Sequence, residues 1–155
     1  MTDDLTTDYP LGPALDFLKQ LWALNHALEQ LSSRMDARLG VTAQQRLLLR
    51  CIGKYPGISA GHLASLLRLD PGTVSASLNR LQAKGLVVRR RDPRDRRRSS
   101  LGLTAKGREL DHAAPGTVEG AVERLLASAP AKAVTATTAV LEQLTRLVSE
   151  EDDLT

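Results

Sequence analysis

A mainly α-helical fold with one small β-hairpin is what this sequence predicts, and three observations carry it. Leu and Ala dominate a hydrophobic content of 42%, while aromatic residues stand at 3%, a balance that favours helices over an all-β fold. Apolar residues recur at helical spacing along most of the chain. Only near residues 86–103 does the period shorten. There Leu86-Val87-Val88 and Leu101-Gly102-Leu103 flank an arginine-rich stretch, the pattern of two short strands with a long exposed tip.

Taken in order, residues 1–12 are polar, contain Pro10 and Gly12, and read as a loose arm. A long helix follows over 13–39. Phe17, Leu21, Leu24, Leu28, Leu31 and Met35 step by four and three, a heptad stripe. Leu15, Leu18 and Trp22 add a second apolar line, so this helix is expected to meet more than one neighbour. Gly40 supplies its left-handed stop. Thr42 and Gln45 form a capping box for a second helix over about 43–55, which Pro56-Gly57 ends. Ser59 caps a third helix over 60–67, with Leu63, Leu66 and Leu67 turned inward. Asp70 as N-cap and Pro71 at the first helical position open a fourth over about 71–84, closed by Gly85. Beyond the hairpin, Thr104 caps a fifth helix that Pro115-Gly116 kinks or breaks. Val118, Val122 and Leu125 resume the helical stripe. After Ser128-Ala129-Pro130 a last helix carries Val134, Leu141, Leu144 and Val148 into Glu150-Glu151-Asp152-Asp153.

The net charge of +3 conceals an asymmetry. Residues 41–108 hold fifteen of the 21 Lys and Arg and only three acids, Asp70, Asp92 and Asp95, whereas the flanks hold six Lys and Arg and fifteen acids. Seven arginines crowd into residues 89–98. Like charges this close repel unless an anion is near. A solvated face is the competing reading of any charge run, but the density of this one favours a polyanionic partner.

Two short helices joined by a tight turn and followed by a hairpin are the parts of a winged helix-turn-helix. At about 100° per residue, Val74, Leu78 and Leu81 share the inward face of the fourth helix, and Ser77 leans toward it. Gly72, Ala76, Asn79 and Arg80 point away, with Thr73 and Ser75 on the flanks. This outer face is small, polar and free of acids, so it can approach base edges closely, and its helix N-terminus favours phosphate. Ser59 joins the same candidate surface. In the tip, Asp92 to Arg98, Pro93 stiffens the turn. An Asp there can hold an Arg in one rotamer, lowering the entropy cost of entering a narrow minor groove. Arg94, Asp95, Arg96, Arg97 and Arg98 are the candidate contacts.

These residues resemble the MarR family of bacterial regulators. The likeness rests on Asp92-Pro93-Arg94-Asp95-Arg96-Arg97, on Leu101-Gly102-Leu103-Thr104-Ala105-Lys106-Gly107, and on Thr73-Val74-Ser75 leading to Arg80-Leu81 and Gly85-Leu86-Val87. It is specific over about 42–108 and architectural elsewhere. The resemblance implies a single domain over 1–155, with 42–104 as the winged helix-turn-helix and the helices of 13–39 and 105–150 as a dimerisation lobe. It implies a homodimer on palindromic double-stranded DNA, with the fourth helix in the major groove and the wing in the minor groove. Arg97 matches the groove arginine and Asp95 the residue that orients it. A repressor answering to a small molecule is the expected role, with Trp22, His26, Arg46 and Arg50 as candidate pocket residues. Two departures stand out. Ala76 occupies a position that is often arginine, and Pro115-Gly116 falls where the dimer helix is usually unbroken.

Other chemistries find little footing. His26, His62 and His112 have no Cys or carboxylate at metal-ligand spacing, so no metal or cofactor is expected. No nucleophile constellation or glycine-rich phosphate loop is present, and an enzyme is not expected. The single Cys51 excludes an intrachain disulfide and reads as a buried, inert thiol, with a redox switch as the alternative. A regulator without effector control and a protein-interaction module are the other competing roles. The acidic start and the lack of a long apolar run point to a cytoplasmic protein without a membrane segment.

Overall fold

The computed structural model describes residues 9–95 and 97–151; residues 1–8 of the expected arm, Arg96, Asp152 and Asp153 lie outside them. Among the described residues the order is α1 (Pro13–Leu39), α2 (Ala43–Lys54), α3 (Ala60–Leu67), α4 (Pro71–Ala83), β1 (Val87–Arg91), β2 (Ser99–Leu103), α5 (Ala105–Glu109), α6 (Val118–Ser128) and α7 (Ala131–Glu151). They form two compact units, one ending at His112 and one beginning at Ala113.

The caps of the first unit are those the sequence encodes. Gly40 closes α1 at φ 72°, the left-handed conformation that glycine adopts without steric cost. Thr42 and Gln45 form both halves of the capping box on α2. Ser59 accepts from the His62 amide, and Asp70 accepts from the Thr73 amide at 2.9 Å. With the helix ends satisfied, apolar side chains converge on one core: Val41, Leu48, Leu49, Ile52, Leu63, Val74, Leu78, Leu81, Leu86, Val87 and Leu101. Leu66 does not join it. It is 51% exposed, because α3 turns Leu63 and Ala64 to the core instead.

The strands of the hairpin reach beyond the apolar runs that mark them, up to the expected tip at Asp92 to Arg98. β1 and β2 pair antiparallel from Val87↔Leu103 to Arg91↔Ser99, so Arg89, Arg90 and Arg91 belong to the ladder. Cross-strand bonding outruns the apolar signal because exposed arginines pair through their backbones as well as any residue. Leu101 also exchanges backbone bonds with the α2–α3 loop, accepting from Gly57 and donating to Ile58 at 2.8 and 2.9 Å. The edge of β2 away from β1 is thereby fixed to the α2–α3 loop. Gly107 seals the base: a Cβ there would sit 2.0 Å from the Leu86 carbonyl oxygen.

Lys84, just past α4, ties that helix to the α1–α2 corner. Its Nζ donates to the Gly40 carbonyl at 2.6 Å and to Gln45 Oε1 at 3.0 Å, and lies 3.6 Å from Asp36. α5 is only five residues long. The expected interruption at Pro115-Gly116 is a full break, with Gly116 at φ 73°.

In the second unit Thr117 restarts the helix, accepting from the Gly120 amide and donating to the Ala114 carbonyl at 2.6 Å. Gly120 permits that turn, since a Cβ there would meet the Ala114 carbonyl at 2.4 Å. The Pro130 carbonyl accepts from the Ala133 and Val134 amides in the first turn of α7. α7 buries none of its side chains: Val140, Leu141, Leu147 and Val148 are exposed, as are Val122 and Leu125 of α6. α1 in the first unit is similar, with Met35 buried but Phe17, Leu24 and Leu28 of the heptad stripe exposed. No described helix is long and apolar enough to cross a membrane.

Candidate nucleic-acid interface

The angular reading of α4 holds. Val74, Ser77, Leu78 and Leu81 are buried. Gly72, Thr73, Ser75, Ala76, Asn79 and Arg80 are exposed together on the opposite face. Leu78 and Leu81 hold the helix by its back, leaving the polar face free. The Asp70 carboxylate accepts from both the amide and the hydroxyl of Thr73, at 2.9 and 3.4 Å. It therefore fixes the first side chain of the candidate reading face. Ser59 is committed as the cap of α3 and is half-buried.

The wing tip is built from two side-chain-to-backbone turns. Asp92 Oδ1 accepts from the Arg94 amide and Asp95 Oδ1 from the Arg97 amide, each at 2.9 Å. Backbone bonds from Asp92 to Arg98 and from Arg98 to Asp95 close the loop. The acids thus act differently from the sequence expectation. Asp95 holds the backbone of Arg97, and its other oxygen lies 3.8 Å from Arg98 Nε. It meets Arg97 at the backbone amide of the turn and not at the guanidinium. Arg94, Arg97 and Arg98 are exposed; Arg96 lies outside the described residues.

The two surfaces are joined by a residue of the arginine-rich stretch that the apolar pattern does not place in a strand. Arg89 faces α4, and its Nη2 donates to Asn79 Oδ1 at 3.4 Å. Its alternation partner Arg91, with Arg97, Ser99 and Gln82, lines a cleft of about 430 Å³ beside it. The signal was available: counting in twos from the buried Val87 places Arg89 and Arg91 on one face. Strand length was the missing piece.

The four candidate pocket residues do not share one environment. Trp22 and His26 are exposed on α1, and His26 contacts Gln30. Arg46 is buried and donates to the His112 carbonyl. Arg50 pairs with Asp111 at 3.0 Å. Both arginines pin the end of the first unit to α2. Cys51 is half-buried rather than fully buried. Burial pushes its thiol pKa up, and the nearby Lys54 and Arg50 charges only partly oppose this. No group of three or more potential metal ligands occurs among the described residues.

The family described as "MarR family" has a profile that matches residues 39–98. The HTH-type transcriptional regulator TtmR of Methylorubrum extorquens is 38% identical over 90 residues, 58% of this chain and 46% of that protein. The chain spans about half the length of such curated relatives. The HTH-type transcriptional repressor Mb2911 of Mycobacterium bovis is 30% identical over 123 residues, 79% of this chain and 84% of that protein. Among solved structures, Streptococcus pneumoniae FabT in complex with DNA superposes with a TM-score of 0.65 at 23% identity, covering 89% of this chain and 99% of that one.

Proposed function

The chain belongs to the MarR family of transcriptional regulators, and from that premise we propose that it binds palindromic double-stranded DNA as a homodimer and represses transcription. The observation that carries the reading is the junction of the acid-free face of α4 with the arginine-bearing wing, bridged by Arg89 and Asn79. α4 lies in the major groove and Arg97 enters the adjacent minor groove, where a narrow, strongly negative channel favours a guanidinium. FabT was crystallised with DNA on the same fold, and the Mycobacterium bovis relative is named a repressor.

Pairing is supported by the exposed apolar faces of α1, α6 and α7. Faces this apolar mark an interaction surface. A two-fold pair reads half-sites one helical turn apart. A small-molecule effector, where one acts, works by favouring one spacing of the paired α4 helices. Trp22 and His26 are then the accessible candidate contacts, since Arg46 and Arg50 are engaged within the chain.

A gel-shift with salt titration on fragments selected from the host genome tests the proposal. The expected result is tight binding of a palindromic fragment that weakens steeply with salt. Equal, feeble retention of every fragment would point to a protein-interaction module.

A further inference from the structure

Counting in twos along β1 separates its side chains into two sets. Val87 is buried under α4, and Arg89 and Arg91 continue on that face toward the tip. Arg91 lies opposite Ser99 in the ladder. Gln82, from the last turn of α4, and Arg97, from the tip, complete a cleft whose lining, among the described residues, includes three arginines and no acid. Arg89 carries a donor with no acceptor of its own beside this space. One arm of its guanidinium reaches Asn79, but its Nε is buried and has no hydrogen-bond partner among the described residues. A buried N–H without an acceptor is costly, and a planar guanidinium fork matches the paired oxygens of a phosphate.

We propose that this cleft seats a single backbone phosphodiester of the bound duplex, at the step where the strand passes from α4 to the wing. Arg89 and Arg91 hold the phosphate, and Gln82 and Ser99 supply neutral hydrogen bonds. The site carries no base information. It sets the register between the two reading elements, because the same Arg89 that grips the strand also positions Asn79 on α4. This rests on the DNA-binding reading and adds to it a fixed pivot that neither the tip nor the α4 face supplies.

Arg91 is exposed and sits at the strand end, so its replacement leaves the core intact. Affinity is measured against salt for Arg91→Gln, Arg91→Lys and a surface change of the second unit, Arg124→Gln, on the selected operator and on a scrambled duplex. Arg91→Gln is expected to weaken both duplexes alike, by roughly tenfold, and to reduce the log–log salt slope by about one. Arg91→Lys keeps the slope, since a phosphate accepts either cation, and Arg124→Gln changes nothing. A wild-type slope in Arg91→Gln, or a loss confined to the operator, overturns the phosphate seat while leaving DNA binding standing. Failure of the unmodified protein to bind any duplex at low salt removes both.

Discussion

At the residue scale, the wing acids separate two physical accounts of the tip. Bulk electrostatics holds that deleting an acid among arginines strengthens binding to a polyanion. The turn geometry predicts the reverse, because Asp95 carries the Arg97 amide and lies beside Arg98. Asp95→Ala is therefore expected to weaken operator binding by about 1 kcal/mol, the scale of one lost hydrogen bond, even though net charge rises. Tighter binding by fluorescence anisotropy would favour the electrostatic account. Arg97→Ala is expected to cost roughly 1–3 kcal/mol with sedimentation unchanged. Cys51 belongs to this scale too. Its raised pKa means less thiolate at any given pH than a free cysteine holds. Alkylation by iodoacetamide near neutral pH should be slower than for a small free thiol and should quicken only as pH climbs past the ordinary cysteine range. Fast alkylation at neutral pH would revive the redox reading.

At the scale of elements, the close approach at the foot of the wing offers the sharpest test of packing. Gly107 lies against the Leu86 carbonyl with no room for a methyl group. Gly107→Ala should lower stability by roughly 1–3 kcal/mol, read as a shift in urea midpoint; an unchanged midpoint would mean that the wing base is not tightly seated. The helices here were legible because their signals are local. Thr42 with Gln45, Ser59, and Asp70 with Pro71 each announce a boundary within four residues, and the structure uses each of them. The outer face of α4 was legible for the same reason. The hairpin was half legible. Its apolar ends showed, but Arg89 to Arg91 and Ser99 to Ser100 carry no hydrophobic alternation, and only the partner strand defines their register. That hid the Arg89–Asn79 link. Leu66 was misassigned because α3 is too short for periodicity to choose between adjacent leucines.

At the scale of the whole molecule, the apolar side chains left on the surface are the main feature that one chain does not account for. Phe17, Leu24 and Leu28 on α1, and Leu141, Leu147 and Val148 on α7, stay exposed. Leu24→Glu combined with Leu28→Glu should yield a folded monomer by sedimentation equilibrium, since neither residue belongs to the core of the first unit. Operator affinity should fall with it, because each half-site alone loses the gain from joint binding. A variant that remains dimeric would move the pairing surface away from α1. The most direct test of the account is a hydroxyl-radical footprint on the selected operator, combined with stoichiometry by sedimentation. The account predicts two chains per duplex and two symmetric protected patches, their centres about one helical turn apart, with minor-groove protection that disappears in Arg97→Ala. One chain per duplex, or an asymmetric footprint indifferent to Arg97, would contradict it.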